Sequence, residues 1–236
     1  MNKRFFLVLF GFLSALTLTA QEMRDVMVVR MFDGTTQKFV VEEIDYVDFT
    51  QEAVPEEPDP YEAVDLGLSV KWATMNVGAQ APEDYGDLFS WGETNAKEDY
   101  SEDAYTYYVN WNYLPIGNDI CGTDYDAAHI QWRHQWRMPS KSDVEELTSR
   151  CTWTSETLNG VNGYRVTGPN NNSIFLPLAG YKAGTTLKKA GVQGYYWTGT
   201  LNTGTPSSAY TLNTSGYDEL WSASRAYGFS IRAVKD

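Results

Sequence analysis

Catalysis in this chain would have to draw on few residues. Cys121, Cys151, His129 and His134 are all the cysteines and histidines present. A cysteine nucleophile needs a base that draws off its proton. His129 and His134 stand five apart, so on a helix they do not share a face as an i, i+4 pair does. Together the four residues match no standard zinc-ligand spacing. Carboxylates are plentiful, with 31 Asp and Glu, so any two can be imagined as the acid and base of sugar hydrolysis, and plenty marks no site. Glu93 stands apart because Trp91-Gly92-Glu93-Thr94 is a motif between apolar residues rather than a charged run. Its expected role is to accept backbone N–H bonds in a loop. No nucleophile–base pair, metal site or cofactor site assembles from these residues, and the chain is read as non-enzymatic.

Binding chemistry is better supplied. The chain has 8 Trp and 16 Tyr, side chains that stack on sugar faces or anchor protein interfaces. Most must fill a core, and Trp72, Trp91, Trp136, Phe175, Trp197 and Phe229 are assigned to packing. The candidate exposed face lies late, over residues 201–227, where aromatics stand among Asn, Ser, Thr and Ala. Tyr210, Tyr217, Trp221 and Tyr227 supply stacking area there, with Asp218, Ser222, Ser224 and Arg225 supplying hydrogen bonds. Tyr and Ser among small residues is the composition of adaptable paratopes, and equally of an ordinary variable loop.

Short elements must position these residues. Pro139 stops a preceding helix, and Ser140 with Asp143 three residues on makes a capping box, so a helix begins at Lys141 with Val144 and Leu147 facing inward. Asp124 is the expected cap of another helix through Ala127, Ala128, Ile130 and Gln131. Strands are expected at 70–77, 164–167, 173–178, 195–200, 209–212 and 227–234, between Gly- and Asn-rich turns. In the last of these, Phe229, Ile231 and Ala233 alternate with Ser230, Arg232 and Val234, which puts Arg232 on the face away from the core. The class is α+β with much loop.

Lys3 and Arg4, an apolar run from Phe5 to Leu18 and small residues to Ala20 have the layout of a secretory signal peptide cleaved near Ala20. Later stretches fall short of the roughly 20 apolar residues that a helical span needs, so no transmembrane span is expected. No cysteine near the cleavage region accepts a lipid, and no spacer with a hydrophobic tail follows the last strand. A secreted, periplasmic or surface-associated protein is expected. In that setting Cys121 and Cys151 are expected to form a disulfide, with a free buried pair as the alternative. Formal charge is −13, and loss of Lys3 and Arg4 takes it to −15. Such a field disfavours nucleic acid and anionic lipid and favours solubility. Residues 21–50 read as a small β-module: Val26 to Phe32 and Gln37 to Val41 flank Asp33-Gly34, followed by Ile44, Tyr46-Val47 and Phe49. Alone it is too short to be stable, so it must pack on something, and self-association through it is one expectation. Residues 51–60, rich in Pro and acid, form an extended connector, and 61–236 form the main domain.

Several motifs in one order resemble the Fibrobacter succinogenes major paralogous domain family. They are Val64-Asp65-Leu66-Gly67-Leu68-Ser69-Val70-Lys71-Trp72-Ala73-Thr74, Tyr85-Gly86-Asp87-Leu88-Phe89-Ser90-Trp91-Gly92-Glu93-Thr94, Arg137-Met138-Pro139-Ser140, Asn159-Gly160-Val161-Asn162-Gly163-Tyr164, Ser173-Ile174-Phe175-Leu176-Pro177, Gly194-Tyr195-Tyr196-Trp197 and Gly228-Phe229-Ser230-Ile231-Arg232. The resemblance covers residues 61–236 and implies a C-type-lectin-like fold: a twisted antiparallel sheet, two helices and a long loop region. It also links the Arg-Met-Pro-Ser motif to the formylglycine-generating enzymes. Those enzymes use a cysteine pair near the C-terminus, where this chain has none after Cys151, so their activity does not carry over.

Calcium-dependent lectins of that fold present Glu-Pro-Asn or Gln-Pro-Asp and later Trp-Asn-Asp. Here Gly168-Pro169-Asn170 and Leu220-Trp221-Ser222 lack the needed oxygens, and Asn170-Asn171-Asn172 reads as a hairpin turn. The C-terminal order, Tyr196-Trp197-Thr198 through Arg225 to Gly228-Phe229-Ser230-Ile231-Arg232, is similar to C-type-lectin-like proteins diversified by retroelements. Adenine mutagenesis of Asn codons can yield the residue types found at Tyr217, Asp218, Ser222, Ala223, Ser224, Ala226 and Tyr227, but not those at Glu219 and Trp221, so the pattern permits diversification without showing it. The expected function is an exported ligand-binding or adhesion module that presents this face to a glycan or cell-surface protein. The alternative is a structural component of a surface assembly.

Overall fold

The computed structural model describes residues 25–30, 34–44, 59–133, 135–214 and 218–236, with backbone alone at Asp218 and Glu219. The signal segment, most of the connector, His134 and Tyr217 lie outside the described residues. The chain divides into two compact units, Met1–Glu57 and Pro58–Asp236.

In the first unit, β1 (Val26–Arg30) pairs antiparallel with β2 (Thr36–Val40), and a 3-10 turn spans Val41–Glu43. Gly34 takes a φ of +84°, the left-handed backbone the turn needs; Asp33 is outside the described residues, as are Tyr46, Val47 and Phe49. The ribbon is apolar on both faces, with Val26, Val28 and Val40 on one and Met27, Val29 and Phe39 on the other. Val26, Val28, Phe39 and Val41 are exposed. A two-stranded ribbon of this kind is marginal by itself.

The second unit is α+β, built from short antiparallel sheets. Its strands are β3 (Ala63–Val64), β4 (Lys71–Ala73), β5 (Tyr108–Val109), β6 (Asn112–Tyr113), β7 (Thr152–Leu158), β8 (Val161–Thr167), β9 (Ser173–Pro177), β10 (Tyr181–Ala183), β11 (Thr186–Lys188), β12 (Gly194–Leu201), β13 (Ser208–Thr214), β14 (Asp218–Ser224) and β15 (Val234–Lys235). The sheets are ordered β15-β4-β3, β5-β6, β7-β8-β9, β10-β11 and β12-β13-β14. Pairing of β15 with β4 and of β4 with β3 closes the unit near its two ends. No helix among the described residues is long and apolar enough to cross a membrane.

Helix α2 (Lys141–Arg150) begins at the capping box read from the sequence, with Ser140 accepting from the Asp143 N–H, and lies on β12, β13 and β14. Helix α1 (Ala127–Trp132) is capped by Asp126, not Asp124. The buried Asp126 carboxylate takes three backbone N–H bonds, from Gly122 at 2.8 Å, His129 at 3.1 Å and Met138 at 2.7 Å. Asp126 therefore serves two loops besides its own helix. Burial raises its carboxyl above the ordinary range, against the pull of those N–H groups.

Residues 227–234 do not form one regular strand. Gly228 bridges to Lys182, Phe229 to Phe89, Ser230 to Tyr196, and Val234 to Arg137. The segment threads between layers, so both of its faces are buried and Arg232 is 1% exposed. The strand expected over 70–77 shrinks to Lys71–Ala73, because the chain bends at Thr74 and Met75, where Arg232 takes the Ala73 and Thr74 carbonyls. Trp72, Trp91, Trp136, Phe175, Trp197 and Phe229 are all buried, as the packing argument requires.

The expected Cys121–Cys151 disulfide is absent, and both thiols are free. Cys121 lies against Gly199, where an added Cβ would meet its Sγ at 2.4 Å, and the Gly199 N–H binds Pro139 O just before α2. Cys151 caps the other end of that helix. Ten helical residues span about 15 Å, well beyond the roughly 7 Å at which two Cα atoms can be bridged.

Candidate functional site

Arg225 does not face a ligand. It is 1% exposed, and its guanidinium donates to Tyr105 Oη at 3.0 Å, Pro206 O at 3.2 Å and Leu114 O at 3.1 Å from each Nη. It also lies 4.9 Å from the Trp91 ring centroid and 5.6 Å from that of Tyr113. Cation–π contact and carbonyl acceptors replace the water it lost. The role expected for it as a ligand contact is thus corrected to that of an internal strut.

β14 is the outer strand of its sheet, and its register sets which side chains share a face. Tyr210 lies opposite Ser222, and Ser208 opposite Ser224, on the side toward α2, where the Lys141 ammonium sits 4.8 Å above the Tyr210 ring. Asn202 Nδ2 donates to Ser222 Oγ at 3.1 Å. On the other side Trp221 is opposite Thr211, itself opposite Trp197. Trp197 is core, whereas Trp221, on the rim strand, is 56% exposed. Tyr227 is half-buried, with its ring 5.8 Å from Tyr181 and 6.2 Å from Phe229. Tyr217 and the Asp218 side chain lie outside the described residues.

A second element joins this face, and the sequence reading passed over it. β5 and β6 form a hairpin with Val109 opposite Asn112 and a two-residue turn, Asn110-Trp111, whose φ angles are +50° and +64°. Trp111 at the tip is 86% exposed, and Val109 and Leu114 are exposed beside it. Underneath, Tyr108 meets the Trp111 ring edge-on at 6.5 Å and Tyr113 at 4.9 Å. The Tyr113 hydroxyl donates to Glu102 and lies 3.2 Å from Ser224 Oγ at the end of β14. Burial and the Glu102 carboxylate push that hydroxyl up to about 12. With Arg225 gripping Leu114, hairpin and rim strand are held as one surface. The available sequence signal was four aromatics, Tyr107, Tyr108, Trp111 and Tyr113, within seven residues.

The residues weighed for catalysis have structural work. Glu93 accepts from the Thr106 N–H at 2.8 Å and pairs with Lys97 at 2.6 Å. His129 belongs to α1, and His134 lies outside the described residues. Among the described residues, no three His, Cys, Asp or Glu side chains converge to hold a metal ion. Burial raises both thiols above the ordinary cysteine range, helped at Cys121 by a hydrogen bond with Asp119. Asn170 serves a turn, accepting from the Asn172 N–H and donating to Asp65 O, with Asn171 at φ +69°. In comparisons with known proteins, no family model, no curated protein and no solved structure matches the chain.

Proposed function

We propose that the chain is an exported, non-enzymatic binding module of C-type-lectin-like fold, whose recognition face joins the β5–β6 hairpin to the β14 rim and takes a cell-surface protein. The observation that carries this reading is Trp111. The chain builds the same two-residue turn at Asn159-Gly160, with φ +48° and +87°, where glycine meets the positive φ without cost. At the hairpin tip the second position is instead a tryptophan, at a cost of about 1–2 kcal/mol for a left-handed non-glycine residue, with its indole in water. Burial of that indole against a partner offsets the cost several times over, since about 200 Å² at roughly 25 cal/mol per Å² comes to about 5 kcal/mol.

A protein partner fits better than a glycan because Val109 and Leu114 are exposed beside the hairpin tip. Aliphatic surface around a protruding indole makes a protein hot spot, while sugar hydroxyls need convergent donors and acceptors. The retroelement-like pattern is compatible with exposed positions such as Ser222, but Arg225 and Ala226 are core, so variation would be confined to the surface side of the segment. The test is binding of the purified mature protein to an array of cell-surface proteins and glycans, beside Trp111→Gly and Trp221→Ala. Loss of a protein hit in both folded variants supports the face, and a hit on a glycan alone favours the other ligand class.

The second reading, a component of a surface assembly, rests on the β1–β2 ribbon, whose exposed Val26, Val28, Phe39 and Val41 lie on a module too small to bury them. Deleting residues 21–60 separates the two. If multimers vanish with the deletion, assembly is the ribbon's role; if the remaining unit still binds, the ribbon is a tether.

A further inference from the structure

A cleft of about 440 Å³ opens among residues 85–88, residues 96–98, Tyr100, Ala179, and Lys182 and Leu187 of the β10–β11 hairpin. Its floor is Tyr100, packed over Gly228 so closely that a Cβ there would fall 2.6 Å from the ring. The Tyr100 hydroxyl donates to Leu88 O and accepts from the Lys97 N–H at 3.1 Å, so the ring cannot swing away.

The walls carry opposite charges, the anion unpaired among the described residues and the cation loosely paired. Beside Leu88, the Asp87 carboxylate rests on Gly78, where a Cβ would meet its Oδ2 at 2.5 Å, and no donor or cation is paired with it among the described residues. Tyr85, two residues earlier, likewise has no hydrogen-bond partner for its hydroxyl among them. At the other side stands Lys182, held in place by paired backbone bonds to Gly228, with its ammonium 5.7 Å from the Tyr100 centroid. Its side chain is only 23% exposed, yet its one ion pair among the described residues is a 3.5 Å contact to Glu98, which is 98% exposed. The other lysine of the cleft is fully engaged, with Lys97 on Glu93 at 2.6 Å and on Ala104 O at 2.8 Å.

Once Lys97 and Glu93 cancel, Asp87, Glu98 and Lys182 line the cleft with a net charge of −1. An anion alone is disfavoured by that balance, and a cation alone leaves the half-buried ammonium unmatched. We propose that this cleft binds a small zwitterion of dipeptide size, with its ammonium on Asp87 and its carboxylate on Lys182 in place of Glu98. The volume suits such a ligand, since small-molecule sites run from about 300 to 1,000 Å³. A cleft of about 440 Å³ leaves room for a dipeptide rather than a single amino acid. The cleft shares no residue with the hairpin and rim strand, so this inference stands or falls separately from the function proposed above.

The test is an amide NMR titration of the mature protein with glycyl-leucine, beside N-acetyl-glycyl-leucine, glycyl-leucinamide and N-acetylglucosamine. Saturable shifts at residues 85–88 and 182 are expected with glycyl-leucine, weakened about tenfold when either terminus is blocked and about tenfold in Asp87→Asn and in Lys182→Met. Asp87 is exposed and unpaired, so its variant retains the fold, and the amide spectrum checks this directly. Absence of saturable shifts at about 10 mM glycyl-leucine would overturn the inference, as would equal binding of the blocked peptides or preferential binding of the sugar at these residues.

Discussion

Both Nη atoms of Arg225 lie 3.1 Å from the carbonyl oxygen of Leu114, so the residue that follows β14 also holds the base of the β5–β6 hairpin. Two strands of two residues each cannot fix their own orientation. A buried cation, stacked on Trp91, does it for them.

Arg225→Lys keeps the charge but loses the planar fork that reaches Leu114, Pro206 and Tyr105 together. Urea unfolding should register a loss of about 2 kcal/mol, and amide exchange at residues 108–113 should speed up as the hairpin loosens. Unchanged stability and exchange would mean that the hairpin is held by other contacts.

Arg232 is the companion strut. It donates to Asn76 Oδ1 at 2.9 Å, Ala73 O at 3.1 Å, Thr74 O at 2.9 Å and Phe175 O at 2.9 Å, and burial lowers its pKa to about 10. Arg232→Met leaves those acceptors dry and should cost about 4 kcal/mol. Arg165→Met, which removes a surface pair with Glu156, should cost about 0.5 kcal/mol. Comparable losses in the two variants would refute the strut.

Asp59 takes part in a clasp with Lys235 at 2.9 Å, the Trp136 indole N–H at 2.8 Å and the Tyr61 N–H at 3.0 Å. Burial pulls its carboxyl upward, but these donors outweigh burial and hold it below its usual value. Stability from a depressed carboxyl is complete above its unfolded pKa, about 3.9, and is lost as pH falls through the folded value. Asp59→Asn should therefore lower stability at pH 7 by roughly 1 kcal/mol, and the gap to the parent should close as pH falls through the folded value. A gap that stays constant across the acid titration would count against the clasp.

The thiols offer a direct check on covalent structure. Iodoacetamide in denaturant without reductant should add two adducts per chain, since Cys121 and Cys151 are unbonded. In the folded protein at pH 8 both should react slowly because burial raises both thiols. Labelling that appears only after reduction would restore the disulfide.

Local chemistry was legible in the sequence, and long-range burial was not. The Ser140–Asp143 capping box is complete within four residues and formed as read. Helix α1 shifted its cap from Asp124 to Asp126 because Met138, twelve residues away, also needs that carboxylate. The period-two pattern of Phe229, Ile231 and Ala233 correctly put Arg232 on the opposite face, but no local rule says that this face is covered too. The hairpin tip carries Asn110, but the residue that marks such a turn after Asn is Gly, and a tryptophan at φ +64° gives no such mark.

Trp111→Gly decides whether the indole is held in a costly turn for the sake of a partner. The variant gains the favoured Asn-Gly turn, so thermal unfolding should show it more stable by about 1 kcal/mol while array binding to surface proteins is lost. A variant that is more stable and still binds as well as the parent would show that the indole serves no partner.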